Sequence, residues 1–137
     1  LPGLERVELN RPVAEAADRL EAVLEEKGMT VFARVDHAAG ARKAGVELRP
    51  AVLVIFGNPK VGSKLMKDAL ETGIDLPMKM LFWEDAEGRR WASYNAPAYL
   101  ARRHGLGPES APVLEKTNRA LAKFARAAAG LEEGKAD

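Results

Sequence analysis

Residues 51–56, Ala-Val-Leu-Val-Ile-Phe, form an uninterrupted apolar run that Gly57-Asn58-Pro59 closes abruptly. A strand with one face in water alternates apolar and polar side chains, and this one does not, so both of its faces need cover. The run is therefore expected at the centre of a sheet. The rest of the chain has to supply the shielding.

At 137 residues the chain has the size of one domain, large enough to hold a core without disulfide or metal staples. A single domain over 1–137 is expected, ordered from about 4 to 129, with a loose polar tail over 130–137. Net charge is +1, from 21 Lys and Arg against 20 Asp and Glu, so no whole-molecule field draws polyanions. Nucleic-acid binding is disfavoured on that ground. Cysteine is absent, which excludes disulfides, thiolate metal sites and a cysteine nucleophile. No stretch reaches the roughly 20 apolar residues of a membrane span, and the N-terminus lacks a signal-peptide pattern. A cytoplasmic protein with no membrane partner is the expectation.

Alternation predicts a first strand over Leu4–Leu9. Asn10 is expected to cap, and Pro12 to open, a helix whose Val13, Ala16, Ala17, Leu20, Val23 and Leu24 recur at helical spacing up to Gly28. Thr30–Asp36 reads as the second strand, with Val31, Ala33 and Val35 on one side. A short helical connection follows through the alanine- and glycine-rich residues 38–45. After the central run, Val61, Leu65, Met66, Ala69 and Leu70 fit a short helix. Met78–Glu84 and Arg89–Tyr94 then form a hairpin around Asp85-Ala86-Glu87-Gly88. Residues 98–104 allow one or two helical turns. Ser110 and Pro112 open a last helix with an apolar stripe of Val113, Leu114, Thr117, Ala120, Leu121 and Phe124.

That order predicts an α+β two-layer sandwich: a mainly antiparallel five-stranded sheet with two long helices on one face. The other face then becomes the problem. Met78, Met80 and Phe82 point one way and Leu81 and Trp83 the other, while Trp91 and Tyr94 sit on opposite faces of the last strand. Leaving several such side chains wet forfeits several kcal/mol, at about 25 cal/mol per Å². A second copy of the chain is the favoured cover, giving a homodimer through the sheet face away from the long helices. The alternative is that the short helical segments near Ala41, Leu65 and Tyr99 fold over it.

Asp36-His37 before an alanine-rich segment, Phe56-Gly57-Asn58-Pro59 after an apolar strand, Asp75-Leu76-Pro77 before a hairpin, and Tyr94 close to Pro97 together resemble domain-of-unknown-function family 302. The resemblance runs from about Leu4 to Ala128. It implies a TATA-binding-protein-like α+β fold in small prokaryotic proteins commonly seen as dimers. It implies no settled activity, and a shared fold is no argument for DNA binding.

Individual residues offer chemistry that bland readings largely absorb. In Gly57-Asn58-Pro59-Lys60-Val61-Gly62-Ser63-Lys64 the order of Ser63 and Lys64 is the reverse of the phosphate loop's, and Pro59 removes a backbone donor. A glycine- and proline-shaped turn is favoured over an anion site built from the amides near Val61 and Gly62 with Lys64. Asp36 and His37 could form an acid–base pair, yet a carboxylate capping the following turn is favoured. Glu84, Asp85 and Glu87 read as a solvated hairpin tip rather than a metal site. Arg89-Arg90-Trp91 and Arg102-Arg103-His104 read as surface charge rather than a nucleic-acid contact.

The sequence thus supports a homodimeric binding or interaction module without catalysis, cofactor or metal, with a small ligand held near Asp36, His37, Asn58 and Tyr94. An enzyme using Asp36 and His37 on a small substrate is the alternative, and a nucleic-acid-binding protein the third reading.

Overall fold

The computed structural model describes residues 1–131. The elements are β1 (Leu4–Glu8), α1 (Val13–Glu26), β2 (Thr30–Asp36), α2 (His37–Lys43), β3 (Ala51–Gly57), α3 (Pro59–Asp68), β4 (Met78–Glu84), β5 (Arg90–Asn95), α4 (Pro97–His104) and α5 (Ala111–Ala129). Tighter 3-10 turns span Leu70–Asp75 and Pro108–Ser110. Apart from Gly130 and Leu131, the tail expected to be loose lies outside the described residues.

All five strands join one antiparallel sheet in the order β1-β5-β4-β3-β2. The α+β class, the sheet and the two long helices on one face are as the sequence predicts. The apolar run is the interior strand β3, but the middle place belongs to β4, because β5 returns beside it and β1 adds outside β5. Two strands therefore lie beyond β4 on one side, and only β2 lies beyond β3 on the other.

The core forms where α1 and α5 meet each other and the sheet. Val13, Ala16, Ala17, Leu20, Val23 and Leu24 of α1 are buried against Val52, Val54 and Phe56 of β3 and Met80 and Phe82 of β4. Phe124 of α5 meets Phe56 edge-on, ring centroids 6.1 Å apart. The buried part of α5 is its C-terminal half, from Leu121 to Ala129. Val113, Leu114 and Thr117 are only half-buried, because that end packs on α3, α4 and the 108–110 turn instead of the sheet.

Three local expectations need correction. Asn10 does not cap α1: Pro12 takes the N-cap position without a side-chain bond, and the Asn10 amide donates to the Ala129 carbonyl at 2.7 Å. Ser110 precedes α5 but does not cap it; its hydroxyl donates to Asp68 Oδ2 at 2.7 Å. In β2 the pairing with β3 slips between Val31 and Ala33. This bulge leaves Val31 facing the helices, turns Ala33 and Val35 to the other face, and sends Arg34 back over α1. There Arg34 Nη1 reaches Asp18 at 2.6 Å and Glu21 at 3.0 Å.

The sheet's second face carries Leu53 and Ile55 of β3, Leu81 and Trp83 of β4 and Trp91 of β5, all partly exposed. The short helices do not close it. α3 and α4 dock on α5 and the two 3-10 turns, and α2 sits at the end of the β2–β3 pair. A depression of about 440 Å³ on this face is lined by strand residues and Leu1.

Candidate functional site

The residues singled out from sequence fall in three places. Asp36 ends β2 and caps α2, its Oδ1 accepting from the Ala39 amide at 2.9 Å. His37, the first residue of α2, is exposed. Asp36 lies opposite Val52, at the start of β3, whereas Asn58 follows the far end of that strand, roughly 20 Å away along a pleated chain. Tyr94, on β5, faces the helices and is 7% exposed. Burial raises its phenol pKa, and the nearby Glu5 carboxylate adds to the rise. The four residues are not brought into one site.

Asn58 does line a cleft. The turn at residues 57–62 forms one wall and the Gly73–Met78 segment the other, with Phe32 at the rim and Thr117 of α5 contributing, around a volume of about 270 Å³. The Leu76–Pro77 peptide in the second wall is cis. Two glycines face across the cleft: a Cβ on Gly62 would stand 3.7 Å from Leu76 Cδ1, and one on Gly57 would stand 3.6 Å from Pro77 Cβ, both ordinary van der Waals contacts.

The cleft's polar groups are mostly engaged. Asn58 Oδ1 accepts from the Lys60 amide at 3.0 Å and caps α3. The Asn58 carbonyl accepts from the amides of Val61 at 2.9 Å and Gly62 at 3.1 Å. The amides an anion would need are therefore already bonded. Thr117 Oγ1 donates to the Val113 carbonyl at 2.8 Å. With apolar walls from Val61, Leu65, Met66, Leu76 and Met78 and the Asn58 NH2 group as a donor, the cleft suits a small uncharged guest better than a phosphate.

The second histidine has a partner that local sequence does not reveal. His104, at the end of α4, makes a 2.6 Å contact from Nε2 to Asp75 Oδ2, and Arg103 Nη1 donates to both Asp75 oxygens at 3.1 Å. The three join α4 to the 70–75 turn, and Arg103 and His104 line an open depression together with Leu70 and Ile74. A carboxylate holding an imidazole can orient a base, but nearness in sequence pointed to Asp36 and His37 instead. The signal was weak: an aspartate in the Asp75-Leu76-Pro77 motif and a histidine ending a short helix.

Two other aspartates hold backbone. Asp68 accepts from the Ser110 hydroxyl and, at 2.8 Å, the Gly107 amide; these bonds lower its pKa, the Ser110 bond most. Asp85 accepts from Trp91 Nε1 at 3.0 Å and from the amides of Arg89 and Glu87 at 2.9 and 3.0 Å. Its pKa is lowered chiefly by the indole bond. Among the described residues no group of three or more His, Cys, Asp or Glu is placed to hold a metal ion.

On the open face Arg6 lies over two indoles, its guanidinium carbon 5.1 Å from the Trp83 ring centroid and 5.7 Å from that of Trp91. Trp83 Nε1 donates to Ser93 Oγ at 2.9 Å. Both indole N–H groups are thus bonded within the chain, leaving mainly the ring surfaces to face outward.

The family described as "Domain of unknown function DUF302" matches residues 5–124. Curated relatives include "Fluoride-specific ion channel FluC 1" of Brucella suis and of Brucella abortus, each 50% identical over 108 residues, 79% of this chain. The chain spans 42% of the first relative's length and 40% of the second's. A solved structure, "Crystal structure of uncharacterized conserved protein DUF302 from Bacillus stearothermophilus", superposes with a TM-score of 0.81 at 19% identity, covering 93% of this chain and 99% of that one. At that identity the likeness concerns the fold.

Proposed function

We propose that this chain, which belongs to the DUF302 family, is a binding domain that pairs with a second copy of itself through its open sheet face. The observation that carries this reading is the row of partly exposed Leu53, Leu81, Trp83 and Trp91 on a face that α1 and α5 do not reach. Burying such side chains against the same row of another copy recovers hydrophobic free energy and makes a self-complementary, two-fold contact. Light scattering on the chain should give twice the monomer mass. Leu53→Asp with Leu81→Asp should give the monomer mass with an unchanged far-ultraviolet circular dichroism spectrum. A wild-type chain that stays monomeric across the accessible concentration range would overturn the reading.

A second element of the proposal is a small, uncharged ligand in the cleft beside Asn58. It is supported by the glycine-lined walls and by the already bonded amides at the start of α3. The role is read as binding, because the acid–base pair anticipated from sequence does not serve this cleft: Asp36 is engaged as a helix cap and lies about 20 Å from it. Turnover of any member of a metabolite panel, abolished by His37→Ala, would return the acid–base reading of Asp36 and His37 to first place.

The relatives' name describes whole proteins more than twice as long as the matched part. No helix among the described residues is long and apolar enough to cross a membrane. In such relatives we read the part matching this chain as an accessory binding domain of a membrane protein.

A further inference from the structure

The net charge of +1 conceals a strong local asymmetry. Along the outer groove between α1 and α5 lie Arg19, Lys27, Lys116, Arg119 and Lys123, with Glu26 the one acid among the groove's lining residues. The lining thus carries +4, and the remainder of the chain, by difference from +1, carries −3. All five basic residues are exposed. Lys116, Arg119 and Lys123 stand at i, i+3 and i+7, which places them on one face of α5, over roughly 10 Å of its length. Of the other acids of α1, Asp18, Glu21 and Glu25 line a different depression, toward β2, where the first two hold Arg34, while exposed Glu15 stands one turn before Arg19, so the positive charge is concentrated on α5. Glu115 lies 3.9 Å from Arg119, a long contact between exposed groups that offsets little of the charge.

We infer that the α5 rim of this basic groove is a docking surface for an anionic lipid bilayer, with the face of α5 that carries Lys116, Arg119 and Lys123 lying against the headgroups. Two observations converge on that partner. One is charge: several Lys and Arg on one side of a domain are attracted to anionic headgroups and held within a Debye length of them. The other is the company the domain keeps: relatives 50% identical over 108 residues are named as ion channels, and a domain joined to a channel stands beside a membrane. The sequence pointed away from a membrane partner because no apolar stretch is long enough to span a bilayer, a criterion that does not register docking by charge. The groove lies on the opposite side of the molecule from the open sheet face, so pairing and docking do not compete. The inference requires neither the dimer nor the ligand.

The test is co-sedimentation of the whole chain with vesicles of phosphatidylcholine alone or mixed with phosphatidylglycerol. The chain should sediment with the anionic vesicles only, and raising the salt should release it. Lys116→Glu with Arg119→Glu and Lys123→Glu should weaken partitioning by about a hundredfold. Lys60→Glu with Lys64→Glu and Arg42→Glu, the same charge change placed elsewhere, should weaken it far less. Equal loss in both triple variants would reduce the effect to net charge and overturn the assignment. So would binding to heparin or nucleic acid without binding to anionic vesicles at low salt. Circular dichroism on each variant separates lost docking from lost folding, and light scattering on the same samples reports the dimer independently.

Discussion

Asp75 and His104 are 29 positions apart in the chain and meet through a 2.6 Å contact between carboxylate and imidazole, with side chains only 14% and 7% exposed. The pair fastens the 3-10 turn before β4 to the end of α4, so it sets how one wall of the Asn58 cleft sits relative to α4. His104→Ala leaves a largely buried carboxylate without that partner and should cost about 1–3 kcal/mol in urea unfolding. Arg103→Ala should cost less than about 1 kcal/mol, because that guanidinium is 52% exposed. Equal small losses in both variants would show that the imidazole contact does not hold the fold.

Gly3 has φ near +75°, and a Cβ built there would overlap the Tyr99 ring. The left-handed conformation alone costs a non-glycine residue about 1–2 kcal/mol, and the clash adds to it. Gly3→Ala should therefore destabilise by more than about 2 kcal/mol. Combining it with Tyr99→Ala should remove the ring atoms from the clash while leaving the residue-99 Cβ, 2.5 Å from the built Cβ, and the backbone strain, so the double variant should cost less than the sum of the singles but more than Tyr99→Ala alone. Strict additivity in thermal or urea unfolding would mean the N-terminal turn is not seated on Tyr99.

What the sequence made legible was whatever repeats locally. The stripe from Val13 to Leu24 gave α1, the two-sided apolar run of residues 51–56 gave an interior strand, and Asp85 to Gly88 gave the hairpin of β4 and β5. Contacts between distant residues stayed hidden. The bulge at Phe32 does not interrupt the residue types, Ser110 looks like a cap until Asp68 arrives from 42 positions away, and nothing near His104 announces Asp75. The candidate site divides the same way. Gly57-Asn58-Pro59 announced a turn with Asn58 at a special place, whereas the opposite wall at Leu76 and Pro77 and the floor at Thr117 are supplied by tertiary packing.

Asp68 and Asp85 both have pKa values held below the usual carboxylate range by hydrogen bonds they accept. A carboxylate whose pKa is lower folded than unfolded contributes stability that is present above its unfolded pKa and lost as pH falls through the folded one. Stability should therefore fall as the solution is acidified through and below the ordinary carboxylate range. In Asp68→Asn and Asp85→Asn the fall should be shallower, each variant starting from a lower value at neutral pH. Urea midpoints measured from neutral to acidic pH would test this, and variant curves parallel to wild type would show that neither carboxylate is linked to folding.

Gly62 lies in the first turns of α3 with an ordinary helical backbone, and a Cβ there meets nothing closer than Leu76 Cδ1 at 3.7 Å. Alanine should thus be accepted without strain and, by restricting the unfolded chain, should raise stability by about 0.5–1 kcal/mol. Leucine projects its branched end into the 270 Å³ cleft and occupies the volume left to a guest. A cavity of about 150 Å³ lined by apolar side chains is known to take benzene, so this larger, half-open one should take indole or a molecule of similar size. In a thermal-shift titration with indole, wild type and Gly62→Ala should rise with concentration and Gly62→Leu should not. A rise of equal size in Gly62→Leu would place the indole elsewhere and remove the cleft as the ligand site.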